Sequence, residues 1–100
     1  MPPLDDTAVE EALKHLPGWE RRGNQIVKSF GRKNFIRAIT FVNEVADAAG
    51  AVGQHPDIDI RWNKVTVALS THSEGGVTEA DLQLAARIDE LGHTVPFEPH

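Results

Sequence analysis

The chain has 100 residues, a formal net charge of −5 and no cysteine. This length corresponds to a single domain, and a hydrophobic content of 40% is ordinary for a globular protein. The absence of cysteine excludes a disulfide framework, a thiolate nucleophile and a thiolate-ligated zinc site. The acidic balance, with no basic stripe, disfavours direct binding to a nucleic acid.

The hydropathy pattern predicts one soluble, cytoplasmic domain over residues 1–100, with no membrane partner. The first ten residues, MPPLDDTAVE, lack the positive and apolar segments of a secretory signal. No apolar run approaches the ~20 residues that span a bilayer. The last residues, 94–100, are predicted to form a loose tail.

The first third of the chain predicts a helix followed by a β-hairpin. A polar cap among positions 5–7 begins the helix, and Pro17-Gly18 ends it. Residues 19–22 and 25–30 are strand-like runs on either side of a Gly23-Asn24 turn. The apolar stripe of the helix consists of Val9, Ala12, Leu13 and Leu16.

The second helix is predicted over residues 34–49, with Gly50 as its end. Apolar residues recur there at the spacing of one helical face. We expect this face to cover the sheet. Its members are Phe35, Ile39, Val42, Ala46 and Ala49, and Ile36, Ala38 and Val45 widen it.

A second hairpin is predicted from residues 57–62 (DIDIRW), which alternate strictly between apolar and polar side chains, and from residues 64–72 (KVTVALSTH), in which Val65, Val67 and Leu69 continue the alternation. A turn at Asn63-Lys64 would pair Trp62 with Val65. Extending this register outward places His55 opposite His72 at the open end of the hairpin.

A third helix follows, in which Thr78 and Asp81 resemble a capping box and Gly92 is the terminator. The predicted order is α-β-β-α-β-β-α. This order favours an α+β fold in which three helices pack on one face of a four-stranded antiparallel sheet.

The rim that carries His55 and His72 is the candidate site. Histidine is the side chain whose ordinary pKa lies nearest neutrality, so two imidazoles can divide acid and base roles. Gln54 adds an amide, Asp81 could orient an imidazole, and the hydroxyls of Ser70, Thr71 and Ser73 could bind the edge of a flat heterocycle. Two imidazoles are too few ligands for a metal site, so no metal is predicted.

Each of these residues also has an ordinary structural interpretation. A histidine before proline is usually a loop residue, and Asp81 is explained by helix capping alone. Trp62 would serve equally as a core or interface residue. The predicted position of two histidines, a glutamine and an aspartate at one rim favours the functional interpretation.

The string from residue 50 to residue 81 resembles the signature of the pterin-4a-carbinolamine dehydratases, also known as dimerisation cofactors of a homeodomain transcription factor. Gln54 stands where the family has the first histidine of a pair, and Gly50 stands where it has an acidic residue. The matching residues are His55-Pro56, Trp62, Asn63-Lys64-Val65, Leu69-Ser70-Thr71-His72, Gly76 and Asp81.

The resemblance implies that water is eliminated from a 4a-hydroxytetrahydropterin to give a quinonoid dihydropterin, which recycles tetrahydrobiopterin without a metal or organic cofactor. It implies His72 as general acid at the hydroxyl, His55 as base or orienting group, and Asp81 as support for His72. A homodimer or homotetramer is also implied. The substrate contacts would come from Gly53, Gln54, His55, Pro56, Trp62, Ser70, Thr71, His72 and Ser73.

A second hypothesis stays open, because glutamine cannot transfer a proton at neutral pH. Under it, Gln54 marks a non-catalytic family member that binds or assembles a protein client.

Overall fold

The computed structural model describes residues 2–94, except for the side chains of residues 93 and 94. The predicted element order is confirmed. Of the predicted tail, residue 94 belongs to the last helix, and residues 95–100 lie outside the described part. The elements are α1 (Asp6–Leu13), β1 (Glu20–Arg22), β2 (Gln25–Gly31), α2 (Phe35–Ala51), β3 (Asp57–Arg61), β4 (Lys64–Leu69) and α3 (Glu79–Thr94).

The four strands form one antiparallel sheet in the order β1-β2-β4-β3. The two predicted hairpins therefore join through their second strands. Val65, Val67 and Leu69 are buried, as the alternation predicts, and Ile26 and Phe30 of β2 lie on the same face. The helices cover this face, and the α+β prediction is confirmed.

A lysine on the covered face of the sheet ties the first hairpin to α3. Lys28 pairs with Val67 in the ladder, and its ammonium lies 2.8 Å from the carboxylate of Asp89 and 2.9 Å from the carbonyl oxygen of Pro17. The indole nitrogen of Trp19 donates to the same carboxylate at 3.1 Å. This cluster could not be predicted from the sequence, because a single Lys in a strand is usually a solvated residue.

The buried face of α2 differs from the predicted one. Asn34 caps the helix through a 2.9 Å hydrogen bond from the backbone N–H of Arg37, and the helix continues past Gly50 to Ala51. Phe35 is 49% exposed, so it does not belong to the core. The buried residues are Ala38, Phe41, Val45 and Ala49. Ala49 of the predicted stripe and its flanking Ala38 and Val45 are therefore buried, Ile39 and Val42 are half-buried, and Phe41 was not predicted.

The register of the second hairpin is shifted by two residues from the prediction. Val65 pairs with Ile60, and the ladder ends where Asp57 pairs with Ala68. The turn is Trp62-Asn63, because Trp62 adopts a left-handed backbone with φ of 54°. A shift of two residues keeps the side chains of the two strands on their predicted faces, although Trp62 leaves the strand for the turn.

Asn63 explains why the turn lies one residue earlier than expected. Its carbonyl accepts a 2.8 Å hydrogen bond from the backbone N–H of Arg32, and its side-chain amide donates to the carbonyl of Arg32 at 2.9 Å. Lys64 is then free to begin β4 opposite Gly31. Arg32 is 5% exposed, and its guanidinium lies 5.0 Å from the ring centroid of Phe41. Burial lowers the pKa of Arg32, and the negative charge of Glu44 acts in the opposite direction.

The three helices pack on one face of the sheet. Within the described residues, none of them is both long enough and apolar enough to cross a bilayer.

Candidate active site

The end of α2 positions the first half of the site. Gly53 has a left-handed backbone with φ of 70°, and its N–H donates to the carbonyl of Gly50 at 3.2 Å. The N–H of Gln54 donates to the carbonyl of Ala49 at 2.9 Å. These two bonds close a helix on a glycine that needs positive φ. Gly53 is therefore a structural turn that directs Gln54 and His55 away from the helix.

A tight turn after β4 positions the second half. Thr71 forms a bridge with Gly76, with a 2.8 Å bond from the Thr71 N–H to the Gly76 carbonyl. Between them, residues His72–Glu74 form a short 3-10 helix that ends at a left-handed Gly75. His72 is the first residue of this turn and is exposed.

The carboxylate of Asp81 joins the two halves. It is 1% exposed, and its Oδ1 accepts a 2.8 Å hydrogen bond from the Gln54 amide nitrogen. Its Oδ2 accepts from the Thr71 hydroxyl at 2.8 Å and from the backbone N–H of Thr78 at 2.9 Å. The Thr78 bond caps α3, so the predicted capping role of Asp81 is confirmed. The same carboxylate also fixes Gln54 against Thr71, whose side chains are 3.2 Å apart.

The structure corrects the predicted opposition of His55 and His72. With the observed register, extension of the ladder would place His55 opposite Ser70, and pairing has already ended at Asp57. The two histidines are instead neighbours of a contacting pair, because each directly follows Gln54 or Thr71. Both side chains are exposed.

The predicted support of His72 by Asp81 takes a different form. Among the described residues, no side-chain hydrogen bond holds either imidazole, and the carboxylate of Asp81 is occupied by Gln54, Thr71 and Thr78. Asp81 therefore fixes the backbone positions from which the imidazoles extend. Its contact with the ring of His72, which the sequence suggested, is not formed.

Trp62 lies away from this rim. It occupies the turn at one end of the β3–β4 hairpin, whereas His55 precedes β3 at the other end. Five strand residues at about 3.3 Å each separate the two ends. Trp62 is also 67% exposed, which excludes the core and leaves the interface of the two structural interpretations offered by the sequence. Within one chain it does not reach the substrate position that the sequence suggested.

The remaining predicted contacts lie around the network. Pro56 is half-buried immediately before β3, Ser70 is buried immediately after β4, and Ser73 is exposed in the 3-10 turn. Thr78 was predicted only as a cap, but its hydroxyl lies 2.8 Å from that of Thr71 and so belongs to the network. Over residues 2–94, no group of three or more His, Cys, Asp or Glu side chains is arranged to hold a metal ion.

The protein is thus a small α+β fold in which two exposed imidazoles lie beside a buried carboxylate network. A family model described as pterin 4 alpha carbinolamine dehydratase matches residues 2–91. The chain belongs to this family, and the resemblance drawn from the sequence is confirmed. Membership also confirms the hydro-lyase class at the level of the family.

Individual relatives support the assignment along nearly the whole chain. A Roseiflexus castenholzii protein named for the same dehydratase is 56% identical over 88 residues, which cover 88% of this chain and 95% of that protein. A transcriptional coactivator/pterin dehydratase from Brucella melitensis has a solved structure that superposes with a TM-score of 0.86 at 35% identity, covering 90% of this chain and 98% of that one.

A more distant structure shares the fold. It is a pterin dehydratase-like protein identified as a RuBisCO assembly factor in the alpha-carboxysome, with a TM-score of 0.61 and 24% identity. The match covers 74% of this chain and 86% of that chain. This likeness concerns the arrangement of helices and strands alone.

Proposed function

We propose that the chain dehydrates a 4a-hydroxytetrahydropterin, with His72 as general acid and His55 as base or orienting group. The observation that carries this proposal is the network in which Asp81 holds Gln54 and Thr71. It fixes the residues that precede the two imidazoles. A flat ring bound at this rim would lie beside both exposed imidazoles.

The reaction needs two proton transfers and no redox step. Protonation of the 4a-hydroxyl lets the C4a–O bond break and water leave. Loss of the N5 proton supplies the electron pair of the new C4a=N5 bond, which gives the quinonoid dihydropterin. An imidazole can both give and take a proton, so two of them suit both transfers, and each acid–base contribution is worth about 10²–10⁴-fold in rate.

The test is a carbinolamine dehydration assay on the wild type, His72→Ala and His55→Ala. We expect losses of about 10²–10⁴-fold for His72→Ala, with an unchanged melting temperature because the side chain is exposed. His15→Ala is the matched control, since His15 is an exposed histidine after α1. Wild type and His72→Ala running equally at the uncatalysed rate would refute the proposal and favour the non-catalytic module that binds a protein client.

We also propose that the protein forms a homodimer or homotetramer. Phe35 and Ile36 at the start of α2 are 49% and 70% exposed. Adjacent exposed apolar side chains of this size are a feature of association surfaces. Ile36→Glu should lower the mass found by light scattering, whereas Gln83→Glu on the exposed side of α3 should not. A monomeric wild type at micromolar concentration would contradict the proposal.

A further inference from the structure

The side-chain amide of Gln54 has one orientation that the surrounding residues allow. Its nitrogen donates to Asp81 Oδ1 at 2.8 Å and to Thr71 Oγ1 at 3.2 Å. A carboxylate only accepts hydrogen bonds, so it must face the amide nitrogen and not the amide oxygen. The Thr71 hydroxyl gives its own proton to Asp81 Oδ2 and is thereby an acceptor toward Gln54.

The consequence is that Gln54 Oε1 points away from the network. Among residues 2–94, no donor contacts this oxygen, and no buried side-chain oxygen or nitrogen there lacks a hydrogen-bond partner. Gln54 itself is half-buried, so its Oε1 reaches the surface of the rim next to His55. The site thus presents a fixed carbonyl acceptor at this position.

We propose that Gln54 Oε1 accepts a hydrogen bond from an N–H group on the edge of the bound pterin, and that Asp81 is a positioning residue that sets the direction of this amide. The inference rests on the proposed dehydratase function and deepens it. A reduced pterin carries ring N–H donors as well as carbonyl and ring-nitrogen acceptors, so an outward acceptor selects a donor edge of the ring, whereas an outward NH₂ would select an acceptor edge. An amide exchanges no proton near neutrality, so Gln54 contributes to binding and not to proton transfer.

Reversing the amide provides the sharpest test. In Asp81→Asn the side-chain oxygen can still accept from Thr78 and Thr71, but its new NH₂ group faces Gln54. The Gln54 amide must then turn over and present its own NH₂ to the substrate. Combining Asp81→Asn with Gln54→Glu leaves the number of acidic residues unchanged and again places an acceptor oxygen at the rim.

The measurements are the Kd for 7,8-dihydrobiopterin by calorimetry and the KM and kcat for dehydration. Gln54→Met and Asp81→Asn should each weaken binding by about 10–100-fold, as expected for one lost hydrogen bond, with a parallel rise in KM and a nearly constant kcat. The combined variant should recover most of the affinity lost in Asp81→Asn. Gln83→Met, an exposed glutamine of α3, is the control and should bind as the wild type does.

The outcomes separate this inference from the proposed function. If the wild type binds and turns over pterin while Gln54→Met binds equally well, the role of Gln54 is refuted and the dehydratase function stands. A combined variant as weak as Asp81→Asn refutes the reversal of the amide. A wild type that neither binds nor turns over pterin overturns both proposals. Gln54→Met removes no capping contact, so it stays informative even if Asp81→Asn folds poorly.

Discussion

Replacing Asp81 by alanine removes the acceptor on which three donors converge. The donors are the Thr78 N–H, the Thr71 hydroxyl and the Gln54 amide, at 2.8 to 2.9 Å. Thr78 is 1% exposed, so its N–H has no route to water once the carboxylate is gone. The other two donors belong to half-buried residues and can turn toward solvent.

The cost follows from these three environments. An unsatisfied buried donor costs about 1–3 kcal/mol, and the loss of a helix cap falls in a similar range. The two half-buried donors add roughly 0.5–1 kcal/mol each. The substitution also removes the cost of burying the Asp81 carboxylate, which offsets part of this loss of stability. We therefore expect Asp81→Ala to lower the free energy of unfolding by about 3–4 kcal/mol, a large part of the roughly 5–15 kcal/mol of a small domain.

Urea denaturation followed by circular dichroism measures this change. A loss of 3–4 kcal/mol also lowers the melting temperature of a 100-residue domain by on the order of 20 °C. Asp59→Ala is the matched control, because Asp59 is an exposed residue of β3 whose carboxylate pairs with the exposed Arg61, so its loss should shift the free energy of unfolding by about 0.5 kcal/mol or less. An Asp81→Ala loss no larger than that of the control would show that the network does not hold the rim together.

Three further substitutions test the fold around the site. Phe41→Ala should cost about 3–5 kcal/mol in urea denaturation because Phe41 is fully buried, whereas Phe35→Ala should cost under about 1 kcal/mol; equal losses would contradict the observed face of α2. Gly53→Ala should cost about 1–2 kcal/mol through its positive φ alone, since an added Cβ there meets no neighbouring atom; an unchanged midpoint would argue against that backbone conformation. Lys28→Met breaks a mostly buried ion pair and should lower the free energy of unfolding by about 1–3 kcal/mol, while Lys14→Met on the surface should not.

The sequence predicted the sheet and the capping box because both depend on local pattern. Strict alternation placed Val65, Val67 and Leu69 on the buried face, and the spacing of Thr78 and Asp81 predicted the start of α3. These patterns follow from the two-residue period of a strand and the first turn of a helix. Neither depends on contacts distant in the chain.

The buried face of α2 and the hairpin register could not be predicted in the same way. Apolar residues surround much of α2, so both the face of Phe35 and the face of Phe41 satisfy the helical period, and only packing against the sheet decides between them. The register depended on a left-handed Trp62, which no backbone preference of tryptophan favours. Asn63, bonded to Arg32 from a distant part of the chain, holds the turn there.

The role of Gln54 lies between these two cases. Its position beside His55 was evident from the sequence, and it was recognised there as a departure from the family pattern. The direction of its amide depends on Asp81, which is 27 residues away. The sequence therefore shows that Gln54 departs from the family pattern, but the chemical role of its amide becomes clear only from its hydrogen bond to Asp81.

The strand order also determines how this sheet meets other sheets. Because the hairpins join through β2 and β4, the outermost strands are β1 and β3. β1 has three residues, Glu20–Arg22, and all of them are charged and exposed, which makes it a poor template for a further strand. β3 has five residues and includes Ile58 and Ile60, so it is the better template for a further strand. If two copies paired through β3, the outermost strand on each side of the joined sheet would be the charged β1. No edge suited to further pairing would remain, so the assembly would stop at two copies and would not extend into a fibre.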